Sequence, residues 1–204
     1  FDDSLPRILD EHGIHSHLVS DHGHYWECGG ATYHTQYTTW EAIRGQEGDA
    51  WEPVVGGAED PSPNFTSFTE GLRAQLYRQN LANRTRFTEK QEYPLVRTFD
   101  EGLRFLENNG DKDGWFLHLE SFSPHEPFLS SPDFQRLYGL SEKGTSYAWP
   151  DYAPVKEDDE TLDRVRRSYF ASLSMCDEQL GRLLDCMDKL DLWKDTLLIV
   201  NTDH

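Results

Sequence analysis

Three stretches of the chain share one layout, a short apolar run that ends abruptly in a cluster of His and Asp. Thr196-Leu197-Leu198-Ile199-Val200 leads into Asn201-Thr202-Asp203-His204, and Trp115-Phe116-Leu117-His118-Leu119 leads into Ser123-Pro124-His125-Glu126-Pro127-Phe128. Ile14 to Val19 runs into Asp21-His22-Gly23-His24. Carboxylate oxygen beside imidazole nitrogen suits a divalent cation or an anionic group in transfer. Ligands of open α/β sheets collect beyond the carboxyl ends of parallel strands, so three such ends would converge on one polar pocket.

Each cluster has a chemical reading and a plainer one. Asp203 and His204 offer one O and one N ligand to a metal, or are a solvated loop pair. His125 stands among prolines that stiffen its backbone, which can aim the ring for proton transfer or anion contact; the alternative is a rigid surface turn. Asp21, His22 and His24 have the spacing of a metal cluster, an anion-contacting pair or a hydrogen-bonded loop. Arg44 in a Gly-rich loop could grip an anionic substrate bidentately or pair with Glu47 or Asp49. Trp26, Trp40 and Trp51 read as a stacking wall or as core. His118 reads as a hydrogen-bonded core histidine, and Glu120 either faces the site or accepts backbone hydrogen bonds.

These residues need a scaffold. Ser4 as N-cap and Pro6 in the first turn start a short helix with Gly13 as its stop. A strand follows from Ile14. A long loop is expected from about Gly29 to Asn64, helices over Thr69 to Asn83 and Thr98 to Asn108, and an irregular excursion from Pro132 to Asp159. Leu162, Val165, Tyr169, Leu173, Cys176, Leu180, Leu183, Met187 and Leu190 recur at helical steps and predict a long helix before a strand at Thr196 to Val200. Alternating strands and helices predict an α/β fold, a three-layer α/β/α sandwich around a mainly parallel sheet.

Composition narrows the partners. The 204 residues, 36% hydrophobic and 13% aromatic, suffice for a core. A net charge of -18, from 37 acidic and 19 basic residues, argues against a nucleic-acid groove and against attraction to anionic lipid. It leaves an anionic substrate open, because local cations set the field inside a pocket. Cys28, Cys176 and Cys186 lack the spacing of a disulfide scaffold or a thiolate zinc site. No run approaches the ~20 apolar residues of a membrane span. Periplasmic, secreted and cytoplasmic placements all accord with the sequence. Asn64-Phe65-Thr66 and Asn83-Arg84-Thr85 match glycosylation acceptors.

The residues of the final third, Tyr169, Asp177, Gly181 and Leu192 to His204, resemble the long helix and metal-delivering strand of the sulfatase family, within the alkaline-phosphatase-like superfamily. His125-Glu126-Pro127-Phe128 resembles that family's His-x-Pro-aromatic motif, and Ser4 to His24 resembles the segment leading to its Lys-x-His motif. The resemblance implies that residues 1–204 are the central part of one catalytic domain, without its N-terminal nucleophile segment and C-terminal remainder.

What the resemblance implies for the site is specific. Asp203 and His204 would bind one divalent cation (Ca, Mn or Zn), and His125 would contact sulfate or protonate the leaving oxygen. His22-Gly23-His24 stands where the family has Lys-x-His, with a one-residue register that could instead place Asp21 at the lysine. His204, where many calcium sulfatases carry Asn, resembles the branch of phosphonate monoester hydrolases and phosphodiesterases. The family's formylglycine nucleophile arises from a Cys/Ser-x-Pro-x-Arg motif absent from this sequence, so it is expected outside the chain and the 204 residues alone are expected to be inactive. The expected substrate is a small sulfate monoester, a sulfated sugar or aryl sulfate. Phosphonate monoester or phosphodiester hydrolysis is one alternative, and non-catalytic binding of a sulfated glycan is another.

Overall fold

The structure is a computed structural model that describes residues 3–27, 29–59, 71–140, 149–150 and 152–202. Helix α1, Leu5–Glu11, begins behind Ser4 with Pro6 in its first turn, where a missing N–H costs nothing. Gly13 ends it with φ of 73°, a left-handed conformation that glycine adopts without Cβ strain. Strand β1, His15–Ser20, follows. Then come a short helix α2, His24–Glu27, a 3-10 turn, Tyr33–Gln36, and strand β2, Thr39–Ala42. Helix α3 spans Gly71–Arg84, α4 Pro94–Asn109 and strand β3 Trp115–Glu120. Helix α5 covers Pro132–Leu137 and α6 Asp159–Lys189, 31 residues opened by Asp158, whose carboxylate accepts the Thr161 N–H.

The three strands form a parallel sheet in the order β2-β1-β3. Parallel partners share a face: His15 lies beside Trp115, His17 beside Leu117 and Val19 beside Leu119. That face carries the larger core. Trp115, Leu117 and Leu119 pack with Leu103 and Leu106 of α4 and with Leu183, Cys186 and Met187 of α6. Gly102 lets α4 approach closely, since a Cβ there would meet the Leu119 methyls at 2.4 and 2.6 Å. His17 stacks flat on Phe105, with centroids 5.1 Å apart, and burial lowers its pKa.

The opposite face, bearing Ser16, Leu18, Ser20, His118 and Glu120, is covered by the segment from α2 to β2. Tyr37 places its hydroxyl 2.6 Å from His118 Nδ1, and Tyr25 donates to Glu120 at 3.0 Å. Trp26, His34 and Trp40 interlock there, His34 and Trp40 edge to face at 4.7 Å. Trp51 lies elsewhere, against Phe87 at 6.3 Å. Trp26 and Trp40 thus belong to one aromatic cluster and Trp51 to another, with Trp40 still exposed on the outer side. His118 is hydrogen-bonded as expected, but it is half-buried rather than a fully buried core residue.

A second core joins α6 to the loop after β3. Met175, fully buried, meets Leu129, Phe87, Tyr93, Leu95 and Val96. Cys176, beside it on α6, is a thiol that burial pushes up to about 12.

Three expectations are corrected. The run Thr196 to Val200 is not a strand; it pairs with no strand of the sheet, and Leu197, Ile199 and Val200 are exposed at 82%, 73% and 66%. An apolar run forms a strand only where an edge receives its N–H and C=O groups, and here only Leu198 packs inward. The long loop contains β2, whose Thr and Trp pair with His17 and Leu18. The excursion after Pro132 begins as α5, announced by Ser131, Pro132 and Asp133, a helix-start signature.

Candidate functional site

The carboxyl ends of β1 and β3 lie side by side because the strands are parallel and in register to their last residues, Ser20 beside Glu120. The chain leaving β1 carries Asp21, His22 and His24, and the chain leaving β3 carries Phe122 and His125. Phe122 is the hub: its ring lies 4.4 Å from that of His125, 5.2 Å from His22 and 6.3 Å from His24. His22 and His24 meet edge to face at 5.1 Å. Three histidines expected from two separate segments are therefore neighbours.

Asp21 holds the two loops together. It is fully buried, and its Oδ1 accepts the Phe122 N–H at 2.6 Å. Its Oδ2 is buried without a hydrogen-bond partner, and burial pushes the carboxyl up to about 7. The residue marked from sequence as a substrate contact sits beneath the site as a loop anchor.

Glu120 supports His22. Its carboxylate accepts Ser20 Oγ–H at 2.7 Å and Tyr25 O–H at 3.0 Å and lies 3.5 Å from His22 Nδ1. The contact with Glu120 raises the His22 pKa above its ordinary value, partly offset by burial. Burial alone would raise Glu120, but the hydrogen bonds from His22, Ser20 and Tyr25 hold it below the usual range. His22 is thereby biased toward the cation.

His24 lies between two carboxylates, with Nδ1 2.8 Å from Glu27 and Nε2 3.4 Å from Glu47. His125 Nδ1 is 2.7 Å from the Glu126 carbonyl oxygen, a pure acceptor, so Nδ1 carries hydrogen and Nε2 is the atom left for proton exchange. Nε2 lies 3.5 Å from the Tyr152 hydroxyl, which donates to Glu126. The flanking Ser123-Pro124 and Glu126-Pro127 bonds are both cis.

Arg44 is turned to its own loop. Its Nε and one terminal nitrogen bind Asp49 at 2.7 and 2.8 Å, and that terminal nitrogen also meets Ala50 O at 2.9 Å. This loop borders the histidines, since a Cβ on Gly23 would lie 3.8 Å from the Asp49 Cβ. Asp203 and His204 lie outside the described residues, as do Cys28 and Asn64. Among the described residues no three His, Cys, Asp or Glu converge into a metal cage. Asn83 is buried, with its amide bonded to the backbone, which excludes glycosylation of the folded chain.

Sequence reasoning missed Glu47, Glu126, Tyr25 and Tyr152. All four reach the site from loops or a single helical turn without periodicity; only the nearness of Glu47 to Arg44 and of Glu126 to His125 was a signal.

The family model described as Sulfatase matches residues 1–204. Human iduronate 2-sulfatase is 30% identical over 141 residues, covering 54% of this chain and 25% of that protein. Choline-sulfatase of Rhizobium meliloti (strain 1021) is 28% identical over 134 residues, 52% of this chain and 26% of that protein. The chain thus spans about a quarter of the length of these curated relatives. The crystal structure of a phosphonate monoester hydrolase of Agrobacterium radiobacter superposes over 96% of this chain and 45% of that one, with a TM-score of 0.54 and 16% identity. That likeness shows the alkaline-phosphatase-like α/β fold.

Proposed function

The chain belongs to the sulfatase family, and from that premise we propose that it forms the central part of a catalytic domain that hydrolyses small sulfate monoesters. The observation that carries the proposal is the meeting of His22, His24 and His125 around Phe122 at the carboxyl ends of two parallel strands. Imidazoles there can hold sulfate oxygens, and His22, whose protonated form Glu120 favours, supplies positive charge where the transferring group gains negative charge. His125, with Nδ1–H fixed on a carbonyl, delivers its Nε2 proton to the departing alcohol oxygen. Fixing the ring in advance removes an orientational cost from that step.

The nucleophile, a formylglycine, and the ligands Asp203 and His204 of one divalent cation complete the proposal. When bound, the cation supplies Lewis-acid neutralisation of the oxyanion. To the strand-end histidines the proposal assigns the binding and orienting of the ester and the movement of a proton at His125. With the formylglycine motif expected outside them, the 204 residues alone are expected to show no turnover.

Hydrolysis of phosphonate monoesters or phosphodiesters is the second reading, favoured by His204 in the position where many calcium sulfatases carry Asn. The test is a panel of aryl sulfate, phosphodiester and phosphonate monoester with the intact protein, in chelator-treated and metal-restored forms, beside the 204-residue chain. Aryl sulfate is expected to have the highest kcat/KM, in the metal-restored intact protein only. A higher kcat/KM for a phosphorus ester would replace the first reading by the second, and no turnover of any ester would leave binding of a sulfated ligand as the function.

A further inference from the structure

Glu47 has a backbone that a glutamate does not adopt without cause. Its φ is 49°, in the left-handed region, where a side chain crowds the following carbonyl. Glycine is the usual residue in such a conformation, and Gly45 and Gly48 stand on either side of Glu47 in the same loop. Strained residues of this kind persist where the surroundings over-determine them, and they cluster at functional sites.

The surroundings here do over-determine it. Asn83 of α3, fully buried, donates to Asp49 O at 2.8 Å and to Glu47 O at 3.3 Å, while its own oxygen accepts from Glu52 N at 3.1 Å and from Gln79 Nε2 at 3.0 Å. Asp49 accepts the Gly45 N–H at 2.8 Å and both Arg44 nitrogens. Gly48 is pressed on α3, since a Cβ there would lie 2.7 Å from a Leu76 methyl and 3.0 Å from Leu76 backbone. The product of this clamp is one carboxylate, 19% exposed, aimed at His24 Nε2 from 3.4 Å while Glu27 holds Nδ1. The loop's bonds account for its rigidity; they give no reason for glutamate rather than glycine at position 47.

We propose that Glu47 is a positioning residue of the histidine site, which fixes the His24 ring from its Nε2 side through a loop locked by Asn83. The proposal rests on the function proposed above, because His24 must matter for turnover if its orientation is to matter. Substrate binding then either retains the Glu47 contact or draws on a ring already turned to the right plane; in both cases the contribution of Glu47 passes through His24.

The experiment is a double-mutant cycle in the intact protein, Glu47→Gly with His24→Ala, read as kcat/KM for an aryl sulfate and as thermal midpoint. Glycine accepts the left-handed backbone, so a residue kept only for loop structure would lose nothing by this change. The proposal expects Glu47→Gly to lower kcat/KM at least fivefold with a thermal midpoint unchanged or raised, and to cause no further loss in the His24→Ala background. A loss below fivefold, or a loss that adds in full to that of His24→Ala, overturns it. If Glu47→Gly does not accumulate as folded protein, Glu47→Gln carries the same cycle with the same kinetic criteria. A His24→Ala protein with wild-type turnover would instead refute the function proposed for the histidine site, which separates the two failures.

Discussion

Glu120, the last residue of β3, and His22, two residues beyond the end of β1, face each other across 3.5 Å, with the carboxylate also bound by the Ser20 and Tyr25 hydroxyls. Two parallel strands in register thus place an acid and a base at the same height. The acid is pre-committed by two neutral donors, so its charge is held where the histidine needs it.

The first prediction concerns this pair. The histidine pKa is raised above 6.5 in the folded state, first by the hydrogen bond to Glu120. The contact therefore contributes stability that is fully present below the unfolded value and lost as pH rises through the folded one. Glu120→Gln is expected to move the His22 ring titration, followed by NMR, to lower pH. It should also reduce stability by up to about 1 kcal/mol at about pH 5.5, with a smaller effect at about pH 9. An unchanged His22 titration would mean that the carboxylate does not govern the ring.

Asp21 gives the opposite sign. Burial raises its carboxyl from 3.8 to about 7, so between those values the folded protein holds a proton that the unfolded chain has released. Stability then falls as pH rises through that window and stays lowered above it. Asp21→Asn retains an oxygen for the Phe122 N–H. The variant is expected to gain thermal midpoint over wild type above about pH 7 and to lose that advantage below about pH 4. A difference independent of pH would refute an ionisable buried anchor.

Met175 links α6 to the segment that follows His125, through Leu129. Met175→Ala opens a cavity at a fully buried position and should cost about 2–5 kcal/mol by denaturant unfolding. A cost under about 1 kcal/mol would show that the site can collapse around the change.

Cys176 is predicted to be inert. Burial pushes its thiol up to about 12, which leaves a negligible thiolate fraction at about pH 8. Native protein treated with iodoacetamide should carry no label at Cys176 by mass spectrometry, and denatured protein should be labelled there. Rapid native labelling would place the thiol at the surface.

The parts of this fold legible in the sequence are those with periodicity or a strong stop signal. The long helix stood out because apolar residues from Leu162 to Leu190 repeat at helical steps, and α1 because Ser4, Pro6 and Gly13 mark both ends. The strand β2 was hidden in a Gly-rich loop, since four residues carry no period and an edge strand is defined by its partner. Thr196 to Val200 had the composition of a strand, but hydrogen-bond pairing is a property of the neighbour. That His22, His24 and His125 are neighbours was legible because a sheet gathers the ends of its parallel strands. Glu47 was not found, because its place depends on a left-handed backbone and on an amide 36 residues further along the chain.

The central claim is that His125 Nε2 protonates the leaving oxygen of a sulfate ester, and leaving-group dependence tests it most directly. His125→Ala in the intact protein is expected to lower kcat/KM for an alkyl sulfate by about 10²–10⁴, and to affect nitrophenyl sulfate, whose leaving group needs no proton, far less. Equal losses for both esters, or no loss for either, would contradict the account.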